Sequence, residues 1–186
     1  MGCDVIKFGT KGVLDDKEYL KVKNHCWKRS RFDYVIVCDS DEILQEPEHP
    51  TGTIVRTQGF NIFSHQMPKD DFLEIQTGIL DNNYSKYVMF SPRLKEIGYV
   101  YGCHQAKPKG DIIVSHETLV LFHYRNIGGP DRLVQRHKIY RERMSSFNKA
   151  WKLGVHYLYD DEQRIREWHQ HYENSKELSS LGIHCS

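Results

Sequence analysis

The sequence predicts an α/β domain, a mixed sheet flanked by helices. Three observations predict it. Short apolar, β-branched runs alternate with segments of helical spacing. One continuous run, Tyr34-Val35-Ile36-Val37-Cys38, reads as a central strand buried on both faces. Acids follow it directly in Asp39-Ser40-Asp41, at the strand end where open α/β sheets place their ligands. The 186 residues suit one domain, read as 1–174 with a loose tail over 175–186.

The elements follow in order. Residues 5–8 read as a strand and 9–12 as a turn. Asp15 and Asp16 occupy the acidic start of a helix that runs towards Arg31, with Tyr19, Val22, Cys26 and Trp27 at helical spacing. After the acids, 45–52 contains two prolines and reads as a loop. Residues 53–63, 87–90, 97–103 and 119–124 read as strands. Gly128-Gly129-Pro130 breaks the chain before a helix over 131–144, where Leu133, His137, Tyr140 and Met144 share a face. A second, more polar helix is expected over 160–174.

Composition excludes several classes. Lys plus Arg is 26 and Asp plus Glu is 25, which argues against a nucleic-acid binder. No run approaches the ~18 apolar residues of a spanning helix. Five cysteines, without a C-x-x-C pair, suggest neither a disulfide framework nor a zinc knuckle. A reducing, cytoplasmic location is the expectation. Arg125, Arg132, Arg136, Lys138, Arg141 and Arg143 stand against Asp131 and Glu142. That stretch suits a diphosphate or the periphery of an anionic membrane, although Arg141 and Arg143 read better as a solvated helix face. Tyr99, Tyr101 and Tyr124 read as core more readily than as sugar-stacking platforms.

The acid pair carries the chemistry. Residues i and i+2 of an extended chain project to one side, so Asp39 and Asp41 would repel. A hard divalent cation, Mn²⁺ or Mg²⁺, relieves that repulsion and fills its shell with water and phosphate oxygens.

VIVCDSDEIL resembles the D-x-D segment of nucleotide-sugar-dependent glycosyltransferases of the GT-A fold, within the family 2 group. LKVKNHCWKRS resembles the helix before that segment, which implies that Lys23 and Asn24 face the nucleotide. YSKYVMFSPRLKEIGYVYGCHQAKPKG and LVLFHYRNIGGPDRLVQRHKIYRER resemble the later half, and the likeness covers roughly residues 1–160. It implies a GT-A-like (Rossmann-like) sheet, N-terminally shortened by one strand–helix–strand unit. It also implies transfer of a sugar from a nucleoside diphosphate sugar to a glycan or other hydroxyl acceptor, with inversion. Asp41 and His123 would hold the metal. Asp39 would share it or hold the ribose. Lys86 would lie near the donor sugar, and Arg125 near the diphosphate. His104 and Glu117 are the candidates for the general base. Two rivals share the D-x-D signal: a haloacid-dehalogenase-type phosphatase, and a non-catalytic GT-A-like remnant.

Overall fold

A computed structural model describes residues 8–45 and 47–183. The expected first strand falls almost entirely outside them. In chain order the elements are α1 (Asp16–His25), β1 (Val35–Ile36), β2 (Glu42–Leu44), β3 (Ile54–Ser64), β4 (Thr77–Leu80), β5 (Met89–Phe90), β6 (Val114–Ile127), α2 (Gly129–Arg143), α3 (Ser146–Ala150), α4 (Asp161–Glu173) and β7 (Lys176–Glu177). The strands form one mixed sheet with helices flanking it.

β3 is the centre of the sheet. β6 runs parallel along one side of it. β5 pairs with the first residues of β3 and β4 with its second half, both antiparallel. β2 extends the sheet beyond β6, β1 beyond β5, and β7 beyond β4. Strand alternation sets what each face of β6 shows. Phe122 and Tyr124 are buried in a core with Phe60, Ile62 and Leu178. His123 and Arg125 therefore lie on the opposite face.

Four expectations are corrected. Residues 34–38 do not form a central strand: only Val35 and Ile36 pair, on one side, and Ile36 is 52% exposed at the sheet edge. An unbroken apolar run does not reveal whether one flank or two is covered. Residues 97–103 do not form a strand, because Gly98, Gly102 and Cys103 all take positive φ, which extended pairing forbids. The first helix stops at His25, and Trp27 turns into the core edge-on to Phe90. Residues 175–183 are packed, not loose: β7 pairs with β4, and Leu178 is fully buried.

Two local features position the site. Asp15 caps α1 by accepting from the amides of Lys17 and Glu18, and the Asp16 amide donates to Asn148 Oδ1 at 2.9 Å. Together they fix the rotation of α1. Between β4 and β5, residues 81–86 cross the middle of β3. Gly59 permits this, since a Cβ there would sit 2.3 Å from the Tyr84 carbonyl carbon. The Gly59 amide donates to Ser85 Oγ, and the Thr57 hydroxyl donates to the Lys86 carbonyl. Tyr84 and Lys86 are thereby brought to the face that carries His123.

Candidate functional site

The acids do not continue the strand. Asp39, Ser40 and Asp41 form a turn closed by the Glu42 amide on the Asp39 carbonyl, and β2 follows. The two carboxylates consequently have separate partners.

Asp39 faces α1. Lys23 Nζ lies 2.7 Å from its Oδ1 and Lys86 Nζ 3.5 Å from its Oδ2. The Tyr19 hydroxyl donates to Oδ1. Burial pushes this carboxyl up, but Lys23, Lys86 and the hydrogen bonds outweigh it and hold it at about 2. Lys86 also pairs with Glu42 at 2.6 Å, and both side chains are almost fully buried. Burial pushes the Lys86 ammonium down, yet Glu42 and Asp39 raise it above its ordinary value.

Asp41 faces β6. Its Oδ2 lies 3.7 Å from His123 Nε2 and 3.5 Å from Arg136 Nη1. Both distances exceed a hydrogen bond, so the carboxylate keeps lone pairs to offer. The orientation of His123 follows from its neighbours. Asn61 Nδ2 donates to Asp81 Oδ2 at 2.7 Å, which turns Asn61 Oδ1 towards His123 Nδ1 at 2.6 Å. His123 Nδ1 therefore carries the proton and Nε2 the lone pair. Burial first, then Arg125, Lys86 and Arg136, push this imidazole down to about 2, so it is neutral. The Tyr84 ring stacks on it at 3.9 Å.

Asp41 Oδ2 and His123 Nε2 thus confront each other with electron pairs and no proton between them. Two atoms bound to one Mg²⁺ at ~2.1 Å lie at most ~4.2 Å apart, and softer Mn²⁺ also accepts imidazole. The 3.7 Å separation lies between the ~3.0 Å of adjacent and the ~4.2 Å of opposite octahedral positions, so the two side chains would have to shift to share one cation. Among the described residues no group of three or more His, Cys, Asp or Glu side chains is arranged to hold a metal. Water and ligand oxygens would complete such a shell. Asp39, already matched by two lysines, is not needed in it.

Beside this pair lies a cavity of about 430 Å³ whose walls include Asn61, Tyr84, His104, Arg125, His137 and His156. Neither Asp39 nor Asp41 lines it. His104 Nδ1 donates to the Asn83 carbonyl at 3.0 Å, leaving Nε2 basic. Burial, with help from Lys86, pushes His104 down and keeps it neutral. Arg125 turns from the acid pair towards His137 Nε2 at 2.6 Å.

Two expected site residues lie elsewhere. Asn24 spends its amide on the Tyr99 backbone, accepting from its nitrogen at 2.8 Å and donating to its oxygen at 3.2 Å. It pins a loop, with one amide N–H and its carbonyl spent on Tyr99. Glu117 accepts from the Glu48 amide at 3.0 Å. It stands six positions before His123 on β6, roughly 20 Å along the strand, and does not line the cavity. Arg141 and Arg143 lie towards solvent on α2, as expected: Arg143 is exposed and donates to the Gly12 carbonyl, and Arg141 donates to the Tyr157 and Tyr159 carbonyls and pairs with Asp161 at 3.6 Å. Sequence reasoning missed Tyr19, Asn61 and Asp81. Only Asn61 left a signal, as a lone amide inside the apolar run Gly59-Phe60-Asn61-Ile62-Phe63.

Comparison of the chain with protein-family models, with curated proteins and with solved structures finds no match. Among the described residues no helix is long and apolar enough to cross a membrane.

Proposed function

We propose that the chain is a metal-dependent glycosyltransferase that moves a sugar from a nucleoside diphosphate sugar to an acceptor hydroxyl, on a GT-A-like sheet. The observation that carries this reading is the confrontation of Asp41 Oδ2, the second acid of the D-x-D segment, with the unprotonated Nε2 of His123 at 3.7 Å. In this reading Asp41 and His123 hold Mn²⁺ or Mg²⁺. The chemistry that such a cation supplies is neutralisation of the departing diphosphate.

The chain's own groups do the rest. Asp81 and Asn61 hold His123 in the tautomer that presents its lone pair. Lys23 and Lys86 fix Asp39, which orients the turn bearing Asp41. His104 Nε2 takes the proton of the acceptor hydroxyl as its oxygen bonds to the anomeric carbon. The bond from that carbon to the diphosphate breaks, and its electron pair leaves with the diphosphate. Attack from the face opposite the leaving group inverts the anomeric centre.

Titration calorimetry with uridine diphosphate tests the reading. Binding is expected with Mn²⁺ and not without it, and Asp41→Asn and His123→Gln are each expected to abolish the Mn²⁺-dependent heat. Binding indifferent to Mn²⁺, or retained in both variants, would sink the assignment.

A further inference from the structure

The cavity beside the acid pair contains a cation whose charge nothing answers. Arg136, Arg164, Arg141, Arg93 and Arg166 each have a carboxylate partner. Among the described residues no ion pair includes Arg125. Its guanidinium is half-buried and touches only neutral groups: His137 Nε2 at 2.6 Å, the Tyr84 hydroxyl, and the face of Tyr157 at 5.4 Å. Such a group loses hydration without gaining a counter-charge. The two acids in the cavity wall are already committed. Asp81 accepts from Asn61 Nδ2 and the Asn83 amide. Glu167 pairs with Arg164 at 2.8 Å and accepts from Gln163 at 2.8 Å.

Two more polar atoms in the cavity wall are unmet. His137 accepts from Arg125 at Nε2, so its Nδ1 carries a proton, and that buried donor has no partner. His156 Nε2 is buried without one as well. Burial, then Arg125 and Arg164, push both imidazoles down to about 3; a bound anion would relieve that repulsion. The cavity reaches solvent at exposed Asn83 and His171. Its volume of about 430 Å³ is that of a small-ligand site.

We propose that this cavity binds the acceptor through an anionic substituent, a phosphate or carboxylate on the acceptor glycan, held by the Arg125 guanidinium that His137 orients through Nε2, with its hydroxyl turned to His104. The guanidinium fork suits either oxyanion. The proposal rests on the glycosyltransferase reading for the word acceptor, but the anion site itself does not need metal or nucleotide.

The test uses the whole chain without Mn²⁺ or nucleotide. Glucose 6-phosphate, glucuronate and glucose are titrated while imidazole NMR signals are followed. An anionic sugar is expected to move the His137 and His156 signals and leave exposed His116 in place. Response to glucose 6-phosphate alone assigns a phosphate, and response to glucuronate alone a carboxylate. Arg125→Gln is expected to weaken binding at least tenfold, and Glu117→Gln, at a residue that does not line the cavity, to leave it unchanged. Glucose binding as tightly as the anions, no movement of either histidine, or undiminished affinity in Arg125→Gln would overturn the proposal. The wild-type signals decide the matter even where the variant does not fold. Failure of the uridine diphosphate experiment alone would remove the enzyme reading and leave the anion site standing.

Discussion

The imidazole of His123 and the amide of Asn61 meet at 2.6 Å from opposed positions on the two parallel central strands. Neither ring nor amide is free to turn, because Asp81 holds the other end of Asn61. Asn61→Leu keeps the volume and removes the acceptor. Mn²⁺-dependent uridine diphosphate affinity is expected to fall about 10- to 100-fold, the usual effect of losing a ligand's orienting partner. Calorimetry checks this, and an unchanged affinity would show that the tautomer does not matter.

Lys86 and Glu42 form a buried pair at 2.6 Å. Lys86→Met leaves the Glu42 carboxylate in the interior without its cation, a loss on the order of 3–5 kcal/mol. The double variant Lys86→Met/Glu42→Leu is expected to recover at least half of it. Urea unfolding of the three proteins measures both steps.

Burial, then Arg125 and Arg164, push His137 and His156 down to about 3 in the folded chain, against about 6.5 when unfolded. Between those values the unfolded chain binds more protons. Stability is therefore full above about pH 6.5 and falls as pH drops towards 3, by about 1.4 kcal/mol per pH unit for each histidine. Asp39, held at about 2, adds its loss only below its unfolded value near 3.9. Melting temperatures between pH 6.5 and 4.5 therefore read His137 and His156 together with His123 and His104, which burial also pushes down. A flat profile there contradicts their burial as neutral rings, and His156→Gln is expected to make the slope shallower.

Gly59 lies beneath Tyr84, where an added methyl would meet backbone at 2.3 Å. Gly59→Ala is expected to displace residues 81–86 and unstack Tyr84 from His123. The protein should lose about 1–3 kcal/mol of stability, as overpacked sites do. Nucleotide affinity should drop with it. Preserved stability would place that strand crossing elsewhere.

His104 and Glu117 were equal candidates for the base, and only His104 lines the cavity. Glu117→Gln is expected to leave transfer from a nucleotide sugar unchanged, whereas His104→Gln should lower kcat without altering Mn²⁺-dependent nucleotide binding. The opposite ranking would reject the cavity as the acceptor side.

The sequence by itself determined the local elements and the candidate chemistry. The apolar run of β3, the helical spacing of α2 and the acids before α1 specify their elements because their signals lie within a few residues of one another. Asp39 and Asp41 were legible because the acids follow an apolar run, and His123 only through the resemblance of its segment to the later half of the GT-A enzymes. Tertiary structure alone decided which strand is central, since pairing on a second flank depends on residues distant in the chain. It sent Asp39 to Lys23 and Asp41 to His123, because a turn replaced the extended chain that would have aimed both together. It also carried Glu117 out of the site and brought Asn61, Asp81 and His137 into it. Hydrogen-bond partners and burial arise only where separate segments meet, and no spacing along one chain encodes them.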